Sequence, residues 1–387
     1  MTVPAHASPS LIARLDAAAG AARAWLDRRS RAAFVTFAVA LSLVMSLTVL
    51  SPRLFLLFGA PYPGTFEWDR GLSFLAQVRD PFDATIEPAL RWRLAPALLG
   101  HLLHLPGYAA FAVPWAGLLA VLAYTAALAE TRLRDRLDAL LLVVLVGTLA
   151  AVQSITMAHG INDGWLLLAL LATAFSSHPA LRAGAAFIGP WIDERYLFAL
   201  PLCLVCRAVF APPEAKTAPA WRFAALEIAG AACYLGVRLW FTLRHSDPIS
   251  DAFVRQALSM VPTYLPHAPL GWWMGQRAAW VLVVFAVMAT WRQHGSAAVV
   301  ALALATLSGF GAVTLLAADL TRTTNFFFPL TCAGAFAASH VVGAQRTRWF
   351  ATLLGLNLLL PFAMMTYVWI VPIHSLPFEL LRLAKHG

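Results

Sequence analysis

Apolar runs separated by short polar segments follow one another along almost the whole chain. A bilayer core of about 30 Å needs about 20 apolar helical residues to cross it, and fewer where neighbouring helices shelter the segment. By this measure we expect about eleven membrane crossings. The candidate spans are residues 34–58, 108–128, 139–157, 164–176, 182–191, 196–210, 223–241, 278–291, 297–317, 326–342 and 349–371. The pattern predicts an all-α, polytopic membrane protein.

Two of these runs, residues 182–191 and 196–210, are too short to span a bilayer alone. Gly189-Pro190 stands near their junction, and this dipeptide favours a break in a helix. We therefore expect a broken helix pair that dips toward the outer membrane face. The helix count stays open here and around residues 91–106.

Composition supports the membrane class and excludes several others. Of the 387 residues, 60% are hydrophobic and 12% are charged, whereas an ordinary soluble domain has roughly 25% charged residues. The net charge is +9, but the arginines stand in short loops rather than in one aromatic-rich patch, so we expect no nucleic-acid partner. The four cysteines imply no disulfide framework. The chain also has no P-loop, zinc-protease or Rossmann motif.

Cationic residues predict the orientation of the chain. They cluster before the first apolar run and in alternate short loops, at Arg14, Arg23, Arg28, Arg29, Arg31, Arg132, Arg134, Arg136, Arg207, Lys216, Arg222, Arg346 and Arg348. By the positive-inside rule these segments face the cytoplasm. We expect a cytoplasmic tail over residues 1–31, a single transmembrane domain over 32–372 and a short C-terminal tail over 373–387.

Two long loops, residues 59–107 and 243–277, then fall on the outer side. They contain aromatic residues such as Trp68, Trp92 and Trp272, which suit the interface between lipid and water. We expect interfacial helices in these loops, above all in the first, where they would roof a cavity.

Four acidic clusters interrupt the apolar chain. They are Glu67-Trp68-Asp69-Arg70, Asn162-Asp163, Asp193-Glu194-Arg195 and Asp319-Leu320-Thr321-Arg322. The predicted topology puts all four on the outer face. Because charges at the ends of apolar spans cost several kcal/mol unless they are paired or hydrated, their convergence indicates a site.

The order of these motifs resembles a known group of membrane proteins. The motifs are Thr65-Phe-Glu67-Trp-Asp69-Arg70, Arg91-Trp-Arg93-Leu-Ala-Pro96, an acidic pair before Tyr196-Leu-Phe-Ala-Leu-Pro201, and Asp319-Leu-Thr-Arg322 before Phe328-Pro329. Together they are similar to bacterial integral-membrane glycosyltransferases of the GT-C type, which use polyprenyl-phosphate-linked sugars, or to proteins that share their fold. The similarity covers roughly residues 34–342. It implies the bacterial inner membrane, an extracytoplasmic active face and a glycan, lipid or protein acceptor.

The resemblance also implies roles for the first cluster and for the following arginines. Asp69 matches the catalytic carboxylate, and Glu67 is its rival or a metal-binding companion, so the need for a divalent cation stays open. Arg91 and Arg93 would bind the phosphate, as guanidinium groups do in a bidentate manner. Alternatively, Asp69 forms a surface pair or a helix cap, and the two arginines extend toward the interface.

The other three clusters contain the remaining candidates for substrate binding. These are His159, Asp163, Asp193, Glu194, Arg195, Asp319 and Arg322. Asp163 either contacts an arginine or the acceptor sugar, or it caps the next helix together with Asn162. Arg322 either reaches the lipid-linked phosphate while Asp319 orients it, or the pair only joins two helices.

Two other functions fit the same residues. A secondary transporter also has broken helices and charges within the membrane, although we find no inverted repeat here. A non-catalytic subunit of a cell-envelope polysaccharide system would keep the fold and use it for binding. The sequence names neither the sugar nor the acceptor.

Overall fold

The computed structural model describes residues 10–59, 61, 64–83, 85, 86, 88–210, 220–245, 255, 258–316, 319–342, 345–366 and 369–386. Within this part the chain is predominantly helical, as the apolar pattern predicts. The helices of the first half are α1 Leu11–Asp27, α2 Arg31–Val49, α3 Leu54–Leu57, α4 Asp69–Arg79, α5 Pro88–Arg91, α6 Leu94–Leu102, α7 Ala112–Leu133, α8 Arg136–Gly147, α9 Ala150–Met157 and α10 Asp163–Phe175.

The second half continues with helices and adds one small sheet. Its helices are α11 Pro179–Ile192, α12 Arg195–Phe210, α13 Ala220–His245, α14 Ala268–Gln276, α15 Trp280–Leu316, α16 Leu320–Thr323, α17 Phe328–Val342, α18 Arg346–Leu359 and α19 Leu376–His386. Helix α15 is kinked at Gly295, whose φ is 75°. The core lies where α10 packs against α7, α11 and α12, and where α15 packs against α12 and α17.

Among the described residues, four helical segments are long and apolar enough to cross a membrane. They are Arg31–Val49, Gly107–Leu133, Ala224–Arg244 and Leu258–Leu315. The pair α8–α9, bent by 56°, makes a fifth if it is one span. The expected number of about eleven spans is not confirmed. Several of the predicted spans form helices of only 13 to 16 residues, namely α10, α11 and α12, which are short for a bilayer core.

The predicted broken pair is present, but its break lies elsewhere. Helix α11 continues through Gly189 and Pro190, and the chain leaves the helical conformation only at Asp193. The acidic residues themselves therefore form the junction between α11 and α12. This junction places Asp193 and Glu194 between two helix ends rather than on a helix face.

The predicted final span, residues 349–371, is wrong as a single helix. Helix α18 ends at Leu359, Leu360 is extended before Pro361, and an antiparallel hairpin follows. Its strands are β1 Phe362–Thr366 and β2 Trp369–Ile373. A residue before proline disfavours the helical conformation, which explains why the apolar run changes structure there.

Within the N-terminal tail, helix α1 packs against α8 of the bundle. Helix α1 carries Arg23, which pairs with Asp135 at 2.8 Å before α8, and Asp16, which pairs with Arg348 of α18. The predicted cytoplasmic tail is therefore largely a docked helix. In the first long loop, α4, α5 and α6 supply the helices expected there; their contact with a membrane surface stays a prediction.

One buried cation lies apart from the acidic clusters. Arg277, between α14 and α15, is 1% exposed; it donates to the carbonyl of Thr148 at the bend between α8 and α9, and its guanidinium lies 4.5 Å from the centre of the Phe362 ring. Its Nε and Nη1 atoms have no hydrogen-bond partner among the described residues. No carboxylate balances this charge in the described part of the chain.

We expect Arg277→Met to raise the free energy of unfolding by about 1–3 kcal/mol, because methionine fills a similar volume without an uncompensated buried charge. Unfolding in mixed detergent micelles measures this change. The contrasting variant is Arg322→Met, which removes one of the two arginine partners of the buried Asp163 and the arginine partner of Asp319, and should lower stability. A marked loss of stability in Arg277→Met would contradict the prediction and indicate that Arg277 has an anionic partner.

Candidate functional site

Three of the four acidic clusters meet in one continuous ionic network. Asp163, the first residue of α10, is its centre and is 2% exposed. Its Oδ1 lies 2.6 Å from Arg195 Nη2 and 2.8 Å from Arg322 Nη2. Its Oδ2 accepts hydrogen bonds from Arg322 Nε at 2.9 Å and from Asn325 Nδ2 at 2.7 Å. A single buried carboxylate therefore joins α10, α12 and the segment after α16.

This position settles the alternative of helix capping. The Asn162 side chain makes no capping hydrogen bond to α10, and the Asp163 side chain contacts arginines from distant parts of the chain. The second cluster thus has the most central residue of the network. Its isolated motif gave no sign of that, because the partners of Asp163 are 32 and 159 residues away.

The third cluster extends the network toward α6. Asp193 Oδ1 lies 2.9 Å from Arg195 Nε, and Asp193 Oδ2 lies 3.1 Å from Arg93 Nη1. Burial alone raises the pKa of the Asp193 carboxyl, but the charges of Arg195 and Arg93 outweigh burial and hold that pKa well below its usual range. Asp193 therefore stays ionised at neutral pH.

Glu194 connects Arg93 to helix α13. Its Oε2 lies 3.3 Å from Arg93 Nε, and its Oε1 lies 3.0 Å from Arg238 Nη1 of α13. Tyr234, one turn before Arg238, donates its hydroxyl to the same Oε1 at 3.4 Å. Glu194 thus bridges two arginines from opposite sides.

The fourth cluster closes the network on the other side. Asp319 accepts from the backbone N–H of Arg322 at the start of the short helix α16, and its Oδ2 lies 2.9 Å from Arg322 Nη1. Strand β1 supports this turn, because the Met365 N–H donates to Thr321 Oγ1 at 2.7 Å. The predicted pairing of Asp319 with Arg322 is confirmed, and Asp163 is a second carboxylate partner of Arg322.

A small, partly open cavity lies beside the network; the empty space there is about 400 Å³ only when the open solvent at its mouth is included. Its charged wall consists of Arg70, Arg93, Arg322, Asp163 and Asp193. The lining also includes Phe74, Gln77, Leu90, Gly160, Ile161, Asn162 and Ile192. Arginines, carboxylates and amides together give a wall that can hold an anionic, hydroxyl-bearing ligand.

Helix α4 forms one wall of this cavity. Arg70, Phe74 and Gln77 lie at positions i, i+4 and i+7, which share one face of a helix. The helix rests directly on the loop before α10: Gly160, with φ of 73°, is so close that an added Cβ would lie 2.6 Å from the Arg70 carbonyl oxygen. Only glycine fits this contact.

The first acidic cluster contributes Arg70 to the cavity wall, but its two carboxylates do not share the network. Glu67 is 1% exposed and pairs with Arg53, while its backbone carbonyl accepts from the N–H of His159 at 2.9 Å. Asp69 is exposed at the first residue of α4, and its carboxylate makes no ion pair within the described residues. Asp69 is not among the described residues that line the cavity; its assignment as catalytic base stays a prediction.

The His159 ring and the Arg91 backbone contact neighbouring segments of the chain. The His159 ring stacks on Phe111 at 4.5 Å and its Nε2 lies 3.0 Å from the Leu57 carbonyl; burial lowers its pKa. Arg91 ends α5, and its carbonyl accepts from Gln77 at 3.3 Å. Neither His159 nor Arg91 is among the described residues that line the cavity.

Four site residues escaped the sequence analysis: Arg70, Gln77, Arg238 and Asn325. The first two were detectable in principle, because Arg70 and Gln77 share one face of a short amphipathic helix that follows an acidic motif. Arg238 looks like an ordinary cation near a helix end, and Asn325 like a loop residue. Their contacts with Glu194 and Asp163 depend on tertiary packing alone.

The described carboxylates of the network and of Glu67 are paired with arginines rather than grouped around a common point. In the part of the chain that the structure describes, no group of three or more His, Cys, Asp or Glu side chains is arranged to hold an ion. The buried carboxylates of the network and Glu67 are each bound by arginine, which leaves them poor ligands for a divalent cation.

No protein-family model matches the chain, and neither a curated protein nor a solved structure is similar to it. The resemblance of the sequence motifs to GT-C glycosyltransferases therefore goes forward as a proposal. The ionic network and the cavity beside it are the features of the described residues that bear on function.

Proposed function

We propose that this chain is a membrane-embedded glycosyltransferase of the GT-C type that moves a sugar from a polyprenyl-phosphate carrier to an extracytoplasmic acceptor. One observation carries the proposal: a cavity lined by three arginines and two aspartates lies between the amphipathic helix α4 and the ends of the apolar helices α10 and α11. A polyprenyl-phosphate sugar combines an anionic group, several hydroxyls and a long apolar chain. The guanidinium groups of the cavity can bind the anionic group, and its amides and carboxylates can bind the hydroxyls. Apolar neighbours of the cavity can contact the apolar chain.

The arginines suit the leaving group of such a transfer. When the bond between the anomeric carbon and the phosphate oxygen breaks, negative charge develops on the phosphate. Guanidinium groups held in place before the reaction stabilise this charge without reorganisation. In the proposal Arg93 and Arg322 do this, because Asp193, Asp163 and Asp319 fix their orientation.

The transfer also requires a base. The acceptor oxygen forms a bond to the anomeric carbon, the phosphate leaves with the electron pair, and the acceptor proton passes to a carboxylate. Asp163 and Asp193 are each bound by two arginines, which makes them weak bases. Asp69 is exposed, has no ion pair among the described residues and directly precedes Arg70 of the cavity wall, so we assign it this role.

The proposal places the protein in the bacterial inner membrane with a cytoplasmic N-terminus. Its support is the positive-inside pattern of the arginine-rich loops, together with the four or five helices able to cross a bilayer. The acceptor is then a glycan, lipid or protein outside the cytoplasm.

Asp69→Asn tests the assignment of the base. We expect the rate of sugar transfer from a labelled polyprenyl-phosphate donor to fall by about 10²–10⁴-fold, with unchanged folding and donor binding, because a general base contributes this much. The assay uses purified protein and a cell-envelope extract as acceptor.

Asp80→Asn, which changes an exposed aspartate at the other end of α4, is the matched control and should transfer normally. Full transfer by Asp69→Asn would refute the base assignment. Donor binding without any transfer by the wild-type protein would favour the non-catalytic subunit, and uptake of solute into proteoliposomes would favour the transporter.

A further inference from the structure

Arg238 is a charged residue within an apolar candidate span. It lies on α13, whose segment Ala224–Arg244 is long and apolar enough to cross a membrane. Its neighbours Leu235, Leu239 and Trp240 are more than half exposed, so this side of α13 is an apolar surface. A cation in such a place costs several kcal/mol unless it has a partner or a task.

The partner of Arg238 is Glu194, which also pairs with an arginine of the cavity wall. Glu194 gives one oxygen to Arg238 at 3.0 Å and the other to Arg93 at 3.3 Å, and Arg93 lines the cavity. The side chain of Arg238 is 27% exposed, and those of Glu194 and Arg93 are each 25% exposed. Unlike the Asp163 pairs, this part of the network is therefore accessible to a ligand.

Aromatic side chains hold Arg238 at the junction between the cavity wall and the apolar surface of α13. The guanidinium lies 4.9 Å from the centre of the Trp92 ring, and Trp92 packs edge-on against Phe241 of α13 at 5.3 Å. A continuous polar route thus leads from the apolar side of α13 through Arg238 and Glu194 to Arg93.

We propose that Glu194 is a resident counter-ion that the phosphate of a lipid displaces, so that Arg238 and Arg93 then bind the phosphate from two sides. The ligand class is an anionic phosphate at the end of an apolar chain, arriving from the α13 side. Phosphate oxygens accept the same charge-assisted hydrogen bonds as a carboxylate, so the exchange needs no new donor. This inference rests on the proposed function, since it names the route and contacts of the same carrier.

If the phosphate displaces Glu194, substitutions of Glu194 and Arg238 should change the affinity for polyprenyl phosphate in opposite directions. Glu194→Gln removes the competing charge, so a polyprenyl phosphate should bind about tenfold more tightly. Arg238→Gln removes a phosphate ligand, so binding should weaken about tenfold. If Glu194 only held the helices together, both variants would weaken binding.

The experiment titrates the purified full-length chain in lipid nanodiscs with a fluorescent short-chain polyprenyl phosphate. Arg244→Gln is the matched control: Arg244 lies on the same helix and over the Trp240 ring at 6.0 Å, without contact to Glu194, and should bind like wild type. Inorganic phosphate in excess distinguishes the two sources of this chemistry and should leave the probe bound. Thermal midpoints of all variants report folding, and binding of Arg238→Gln at the wild-type level would overturn the exchange even if Glu194→Gln is unstable.

The two proposals fail in different ways. No binding of polyprenyl phosphate to the wild-type chain would overturn the proposed function together with this inference. Wild-type binding that Glu194→Gln weakens or leaves unchanged would overturn only the counter-ion exchange. Displacement of the probe by inorganic phosphate would overturn the lipid as the ligand of this site.

Discussion

Asp163→Asn should lower the free energy of unfolding by about 3–5 kcal/mol, because two buried arginines lose the counter-charge that they share and keep only one carboxylate each, Asp193 for Arg195 and Asp319 for Arg322. The asparagine amide would also direct N–H groups at the guanidinium of Arg322 and the amide of Asn325, which are donors themselves. Unfolding in mixed detergent micelles and the thermal midpoint measure the loss. We expect ligand binding to disappear with it, since Asp163 and Arg322 share the cavity wall.

Asp319→Asn is the matched control within the same network. Asp319 is 18% exposed and binds one arginine, Arg322, which retains Asp163 as a partner in the variant. The expected loss is about 1–2 kcal/mol. Equal losses for the two variants would contradict the central position of Asp163.

Gly160→Ala should lower stability by about 2–4 kcal/mol, combining left-handed backbone strain with overpacking. Its Cβ would lie 2.6 Å from the Arg70 carbonyl and 2.8 Å from Phe74 Cβ. Helix α4 would have to move away from the loop before α10, which separates Arg70 and Gln77 from Asn162 and opens the cavity. Binding of polyprenyl phosphate should therefore fall together with the thermal midpoint.

Gly184→Ala provides the comparison for this change. Gly184 lies inside α11, and a Cβ there meets no atom within 4 Å. Alanine in a helix interior should raise stability by about 0.5–1 kcal/mol. If Gly160→Ala retained both its stability and its binding of polyprenyl phosphate, the close contact of α4 with this loop would be refuted.

The helical class followed from the sequence, because apolar runs of this length with few charges have few other solutions. The number of spans did not follow. Residues 164–176 and 182–210 are as apolar as longer runs, but they form short helices, and whether a short helix crosses a bilayer depends on its neighbours. The hairpin after Pro361 was missed for a related reason, since an apolar run alone does not distinguish a buried strand from a helix.

The candidate site was predictable in its parts and not in its arrangement. All four acidic clusters were expected to converge; three of them share the ionic network, whereas Glu67 pairs with Arg53 outside it. The i,i+3 spacing identified Asp319 and Arg322 as a pair. The importance of Asp163 was underestimated because a helix cap is a sufficient local explanation. Arg238 could not be found, because its contact with Glu194 joins residues 44 positions apart across two packed helices.

The most direct test of the account is photo-crosslinking of a polyprenyl phosphate that carries a photoactivatable group beside the phosphate, followed by peptide mapping in native membranes. We predict labelled peptides from α4 around Arg70–Gln77 and from the loop around Gly160–Asp163, with unlabelled polyprenyl phosphate competing for both. Labelling confined to lipid-exposed helix faces, without competition, would contradict a phosphate-binding cavity at the ionic network.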